Sequence, residues 1–242
     1  MMPLPPYIQI FYTADGSPTL CFSRDDGYVE KMHHAAGALS ESIYIYHHAV
    51  LKTLQLDHAP QVLSLGLGMG YNEFLTMAEF YRAGVTDYKV WSFESIPVLR
   101  ESFRSWINGE PATELTKVIE LVARMVAAHF LVPVTTLRSH MLDGLTSGRL
   151  ELRGSFPEET EGVKANVVFY DAYSRKMDES LWAEDNLVTS MEHVLLPECM
   201  FASYAANGAL NRSLRRLGFR PKKMPGFKGK RESTMAFRSE VR

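Results

Sequence analysis

The run Val62-Leu63-Ser64-Leu65-Gly66-Leu67-Gly68-Met69-Gly70-Tyr71-Asn72 has the clearest chemical content in the chain. A short apolar strand feeds a turn with glycine at alternate positions, and the turn opens a helix. Glycine lets the backbone bend sharply and lets a ligand approach it closely. The first turn of a helix offers N–H groups with no intrahelical partner beneath that ligand. A dinucleotide site of the G-x-G-x-x-G type needs its third glycine at position 71, and that residue is Tyr71. The G-x-G-x-G spacing therefore disfavours a nicotinamide cofactor. Leu65, Gly66, Gly68, Gly70 and Asn72 become candidate cofactor-binding residues, against the plain alternative of a glycine-rich turn with no ligand. Glu94 closes the next strand, 24 residues after Gly70. In an open α/β sheet an acid at the carboxyl end of a strand can bind both hydroxyls of a ribose. Asp171 ends the apolar run Ala165–Tyr170 and faces the same crevice, with Tyr173 just beyond it, so these two are the catalytic candidates.

Other reactive side chains are less organised. His33-His34 and His47-His48 lack Cys or carboxylate companions at ligand spacing, and no metal is expected. Cys21 and Cys199 have no Cys–His context. Two cysteines exclude a disulfide framework and fit a reducing, cytoplasmic setting.

These residues need a scaffold of alternating strands and helices. Residues 8–13 and 19–23 flank Asp15-Gly16 as a hairpin, and a helix capped by Ser40 runs on through Leu54. Residues 1–58 thus read as a hairpin-and-helix extension packed on a domain of residues 59–242. In that domain, strands are predicted at 61–65, 88–94, 150–153, 165–170 and 199–204, with a closing pair at 219–224 and 233–238. Helices are predicted at 71–83, 96–106, 113–130, 135–146, 181–192 and 207–217. The fold class is α/β and Rossmann-like: a mostly parallel seven-stranded sheet with a C-terminal antiparallel strand pair.

Composition agrees. The chain has 242 residues, 46% hydrophobic and 22% charged, which excludes disordered, collagenous and coiled-coil classes. No apolar run reaches the roughly 18 residues of a membrane span, and the start lacks the charged and apolar regions of a secretory signal. The net charge of -2 hides an asymmetry: nine of the 26 Lys and Arg lie between Cys199 and Arg231, a stretch with no Asp or Glu. An acidic body with one basic face is a footprint for a polyanion.

The G-x-G-x-G turn resembles the first motif of class I S-adenosylmethionine (SAM) methyltransferases. A longer resemblance is carried by Asp171-Ala172-Tyr173-Ser174-Arg175-Lys176-Met177-Asp178-Glu179-Ser180-Leu181-Trp182. It is similar to the signature D-G-F-A-P-x-x-N-P-x-x-W of the MnmC-like methyltransferases. Gly226-Phe227-Lys228-Gly229-Lys230-Arg231-Glu232 resembles that family's G-F-G-x-K-R-E, and the segment His34–Ser42 its H-x-x-G-A-x-x-E, which brings in Glu41 as a cofactor-site residue. The resemblance spans nearly the whole chain and is most specific in its last third. Arg175 and Glu179 stand in place of both signature prolines, Ala172 in place of Gly, and Ser155 where the family usually has an Asp that holds the adenine amine.

The resemblance implies methyl transfer from SAM to the primary amine of 5-aminomethyl(-2-thio)uridine at the tRNA wobble position. The length matches a stand-alone methyltransferase, with a separate FAD-dependent oxidase as a possible upstream partner. In that reading the glycine turn places the methionine part, Glu94 holds the ribose, and Gly154 with Ser155 meets the adenine edge. Asp171 orients the amine and helps take its proton, and Tyr173 stacks on the flipped-out base. Arg212, Arg215, Lys228, Lys230 and Arg231 grip the tRNA backbone. Methyl transfer to another small-molecule amine, or tRNA binding without turnover, is the alternative.

Overall fold

The computed structural model describes residues 4–55, 58–229 and 232–239. The N-terminal extension begins with three strands, β1 (Ile8–Tyr12), β2 (Pro18–Ser23) and β3 (Val29–Lys31), in an antiparallel sheet ordered β1-β2-β3. The hairpin expected around Asp15-Gly16 is present, with a third strand added. A helical segment follows as α1 (Ala38–Ser42), a π-helical turn (Ile43–His47) and α2 (His48–Thr53). It starts two residues before Ser40, because its first N–H groups are capped by the hairpin. Ala38 and Leu39 donate to Ser17 Oγ at 2.9 and 3.1 Å, and Ser40 N–H donates to Asp15 Oδ2 at 3.2 Å. The cap is therefore tertiary.

The domain proper runs β4 (Gln61–Leu65), α3 (Tyr71–Arg82), β5 (Lys89–Phe93), α4 (Pro97–Asn108), α5 (Glu114–His129), α6 (Val134–Thr146) and β6 (Leu150–Arg153). It continues with β7 (Ala165–Tyr170), α7 (Glu184–Glu192), β8 (Leu195–Ser203), α8 (Gly208–Arg216), β9 (Arg220–Pro225) and β10 (Glu232–Arg238). Helix boundaries follow local chemistry. Pro97 opens α4 and Gly109, at φ 70°, closes it, while Thr113 and Thr116 cap α5 reciprocally. The helix expected from 181 starts at Glu184, because Ala183 is extended and residues 180–182 form a 3-10 turn.

The seven strands form one sheet in the order β6-β5-β4-β7-β8-β10-β9. Neighbours are parallel except around β10, which is antiparallel to both β8 and β9. The expected antiparallel pair is thus present, with the later strand inserted on the inner side. From β4 the chain winds outward through β5 to β6, then crosses back to β7 on the other flank. Strand order reverses between β4 and β7, and a ligand crevice opens at the carboxyl ends there.

Both faces of the sheet are covered. Val62, Val90, Val167 and Phe169 belong to the core shared with α3–α6 and the N-terminal extension. Leu63, Trp91, Val168 and Phe201 belong to the core under α7 and α8. Ser64 and Ser92, paired in register, interrupt the first face. Ser92 Oγ donates to Glu73 Oε1 at 2.6 Å, and Glu73 is fully buried. Burial pushes the Glu73 carboxyl up to about 7, against the pull of the Ser92 and Ser64 hydroxyls. Among the described residues no single helix is long and apolar enough to cross a membrane.

Candidate functional site

The turn after β4 is fixed by its neighbours. Gly66 and Leu67 N–H groups donate to the Phe93 carbonyl, and Asp171 N–H donates to the Leu65 carbonyl, each at 3.1 Å. The ends of β4, β5 and β7 are thereby laced together. Gly66 has φ 85°, and a Cβ on it would lie 2.3 Å from the Asp171 carbonyl oxygen. At Gly68, φ 53°, a Cβ would meet the Met32 methyl at 2.8 Å. At Gly66 the obstacle is main chain and only glycine fits; at Gly68 the Met32 side chain can give way, and the positive φ is what favours glycine. Gly70 completes the turn as the N-terminal flank of α3.

Glu94 reaches back under this turn. Its Oε2 accepts the Gly68 N–H at 3.0 Å and its Oε1 the Ile96 N–H at 2.9 Å. Burial raises its pKa, partly offset by those two N–H groups. It lines a cleft of about 580 Å³ with Leu65, Gly66, Gly154, Ser155 and Phe156. The Gly154 and Ser155 N–H groups donate to the Glu159 carboxylate at 2.7 and 3.1 Å, which lowers the pKa of Glu159. Gly154 and Ser155, expected at an adenine edge, thus line the same cleft as Glu94, expected at a ribose.

Asp171 lies where this cleft meets a narrower cavity, lined also by Glu30, Met32, His33, Asn72 and Tyr204. Asn72 Nδ2 donates to Asp171 Oδ2 at 2.9 Å. Burial first, and then Asp171, push the Tyr46 and Tyr204 hydroxyls well above their usual pKa. Tyr173, held up by burial and by Glu94, also stays protonated, so it can donate or accept a hydrogen bond but cannot act as a base. Its ring packs edge-on against Phe22, with centroids 5.2 Å apart, and lines both the cleft and the narrower cavity.

Two buried oxygens at this junction, Asn72 Oδ1 and Tyr173 Oη, have no hydrogen-bond partner among the described residues. Buried polar atoms of this kind need a partner, and a ligand carrying an ammonium donor would supply one. With the glycine turn and the Glu94 carboxylate lining it, the cleft of about 580 Å³ has the size and polar groups to fit a SAM-sized nucleoside with an amino-acid arm.

The segment after β7 is held mainly through its carbonyls. Tyr204 donates to Ala172 O at 3.0 Å, Trp182 Nε1 to Tyr173 O at 2.5 Å, and Tyr170 Oη to Leu181 O. From the other side, the N-terminal sheet clamps it. Ser174 N–H donates to Glu30 at 2.9 Å, Ser174 Oγ also bonds that carboxylate, and Arg24 donates to Lys176 O at 2.7 Å. Where the signature has two prolines, Arg175 and Glu179 form an ion pair with each other.

Glu41 is buried and accepts the His34 N–H at 2.5 Å, beside this junction. Of the basic residues, Arg212 is paired with Glu184 at 2.8 Å on the α7–α8 surface. Arg215 and Lys228 are exposed and form no ion pair among the described residues. Lys230 and Arg231 lie outside the described residues. Among the described residues no group of three or more His, Cys, Asp or Glu could hold a metal. His47 pairs with Glu79 at 3.1 Å, and Cys21 and Cys199 are buried free thiols.

Sequence reasoning missed Glu30, Met32, Tyr46 and Tyr204. Glu30 sits in a three-residue strand too short to show a period. The Tyr204 ring follows β8, and carboxyl-end position was the one signal for it.

Comparison with known proteins follows this geometry. Residues 150–239 match the model of a family described as S-adenosyl-L-methionine-dependent methyltransferase. The chain is 27% identical over 230 residues to the tRNA 5-methylaminomethyl-2-thiouridine biosynthesis bifunctional protein MnmC of Burkholderia mallei, across 88% of this chain and 34% of that protein. The Burkholderia pseudomallei protein of the same name matches equally. The chain therefore spans about a third of the length of the curated relatives it matches. Among solved structures, MnmC2 from Aquifex aeolicus superposes with a TM-score of 0.67 and 24% identity, covering 97% of this chain and 71% of that one. The Rossmann-like methyltransferase fold and the MnmC resemblance read from the sequence are both returned. The last third of the chain thus matches a family of SAM-dependent methyltransferases, and the whole chain shares the fold of a methyltransferase-type structure.

Proposed function

We propose that the protein methylates the primary amine of 5-aminomethyl(-2-thio)uridine at the wobble position of tRNA. The observation that carries this reading is the placement of Asp171. It is the acid at the junction of a nucleoside-sized cleft and a second opening, oriented by Asn72 and framed by three protonated tyrosines. The relatives' role in 5-methylaminomethyl-2-thiouridine biosynthesis supports the nucleoside and the amine.

Gly66, Gly68 and Asn72 would hold the methionine part of SAM, Glu94 the ribose, and Gly154 with Ser155 the adenine edge. SAM supplies a methyl group on a cationic sulfur, which leaves with its electron pair as a neutral thioether when the amine nitrogen takes the methyl carbon. The amine is a nucleophile only when unprotonated. A partly enclosed pocket disfavours the ammonium form, and Asp171 accepts a hydrogen bond from the attacking N–H and receives or relays the proton. Asn72 fixes the carboxylate rotamer. No covalent enzyme intermediate is required, so positioning provides most of the acceleration. The amine calls for an upstream oxidative step, for which we propose a FAD-dependent oxidase as partner, and tRNA as substrate places both in the cytoplasm.

The test is nucleoside mass spectrometry of tRNA carrying 5-aminomethyluridine after incubation with the protein and SAM. A gain of one methyl on the wobble uridine, lost in Asp171→Asn, supports the reading. SAM binding without methyl gain overturns the substrate and leaves the fold standing.

A further inference from the structure

The loop after β6 folds back on its own strand and sets a carboxylate there. Glu159 N–H donates to the Ser155 carbonyl at 3.0 Å, and Arg153 Nη1 donates to the Glu159 and Glu161 carbonyls at 2.6 and 2.8 Å. The turn closed in this way brings the Glu159 side chain onto the end of β6. Its Oε2 accepts the Gly154 N–H at 2.7 Å and its Oε1 the Ser155 N–H at 3.1 Å. Gly154 is not in the left-handed region, so its backbone does not call for glycine. A Cβ there would instead lie 2.3 Å from Glu159 Oε1 and 3.2 Å from Arg100 Nη1. The missing side chain at 154 is what leaves room for the carboxylate.

These bonds change what the loop offers a ligand. Gly154 and Ser155 line the cleft together with Glu94. Two bare N–H groups at that edge would favour a ligand acceptor. With Glu159 bonded to both, their donor capacity is used, and each carboxylate oxygen keeps a further lone pair. The edge becomes a charged acceptor, and its strong partner is an N–H donor. Adenine carries such a donor in its 6-amino group. The Ser155 hydroxyl is a neutral and weaker acceptor. Glu158 lines the cleft too, but no hydrogen bond or ion pair fixes its carboxylate among the described residues. We propose that the Glu159 carboxylate accepts a hydrogen bond from the adenine 6-amino group and so makes the cleft selective for a 6-aminopurine nucleoside.

The inference rests on the reading of the cleft as a SAM site, and the experiment separates the two. S-adenosylhomocysteine and its 6-deamino analogue, with hydrogen in place of the amine, are titrated by calorimetry into the unaltered chain, Glu159→Ala, Glu159→Gln and Glu158→Gln. Glu159 is exposed, so its variants are expected to fold, and melting temperature checks this. The unaltered chain is expected to bind the amine form about tenfold more tightly. In both Glu159 variants that preference is expected to shrink to about twofold or less, with the loss falling on the amine form and the 6-deamino analogue nearly unaffected. Glu158→Gln, which removes the same charge one residue away, is expected to keep the preference. A preference retained in the Glu159 variants, an equal loss for both ligands, or a loss in Glu158→Gln in their stead overturns the proposal. An unaltered chain that binds the two ligands equally refutes the proposal and leaves the SAM site standing; one that binds neither overturns both.

Discussion

Replacing Gly66 by alanine tests whether the turn and the catalytic strand are set against each other as tightly as described. Two contributions can be separated. The first is backbone conformation: at φ 85° a Cβ is unfavourable by about 1–2 kcal/mol, less about 0.4–1 kcal/mol because alanine restricts the unfolded chain. The second is collision. The Cβ would lie 2.3 Å from the Asp171 carbonyl oxygen and 3.0 Å from its carbon, and both are main-chain atoms that no rotamer can move. Restoring ordinary contact moves β4 and β7 apart by about 1 Å at this level. That strains the Asp171 N–H to Leu65 carbonyl bond, worth about 1 kcal/mol net. Gly84 is the internal control. It has φ 68° and a Cβ there meets nothing within 4 Å, so Gly84→Ala carries the first contribution only. We expect Gly66→Ala to lose about 3 kcal/mol, or about 6–12 °C in melting temperature, and Gly84→Ala about 1 kcal/mol or less. A displacement of about 1 Å between Asp171 and the cofactor turn is expected to weaken SAM binding or turnover by about a hundredfold. Calorimetric melting and SAM titration of both variants decide it. Equal melting losses, or SAM affinity in Gly66→Ala within about threefold of the unaltered chain, would refute the reasoning.

Glu73 gives a pH prediction. Its folded pKa, about 7, lies above its ordinary 4.5, so the native state holds the proton more tightly. The resulting stability is complete below about pH 4.5 and is lost as pH rises through about 7, up to about 3 kcal/mol. Glu73→Gln, which can keep the Ser92 bond, is expected to gain on the unaltered chain progressively over that window in pH-dependent melts. Glu94→Gln sets an amide N–H against either the Gly68 or the Ile96 N–H, and we expect SAM affinity to fall about 10- to 100-fold in calorimetric titration. Glu30→Gln, which weakens the clamp on Ser174, is expected to raise the SAM dissociation rate in stopped-flow while shifting melting by about 3 °C or less.

What the sequence made legible is what is local or periodic. The β4 turn, Glu94 and Asp171 could be found because glycine spacing and a carboxylate at a strand end are visible along the chain. The contacts that complete the site join distant residues, and periodicity carries none of them. Glu30 reaches Ser174 across 144 positions, and Ser40 gave way as a cap to Ser17 and Asp15, more than 20 residues upstream. The missing prolines show the same limit. Arg175 and Glu179 read separately as two departures from a motif, but in the structure they bind each other across one turn. Both are exposed, and such a pair is worth about 0–1 kcal/mol. The loop therefore relies on the carbonyl bonds from Tyr204, Trp182 and Tyr170 for its shape. The basic run is legible as composition only, since sequence cannot say that Arg212 faces Glu184.

The position of β10 bears on how the chain is made. β10 follows β9 in the chain but lies between β8 and β9 in the sheet, bonded to both. A nascent chain that has emerged only through β9 has a strand with no neighbour to receive it, and β8 shows a row of free amides and carbonyls. Docking of β9 must wait for translation of about a dozen further residues, through the end of β10. A pause or a proteolytic cut before residue 232 would therefore yield a species with a sticky open edge, a client for chaperones.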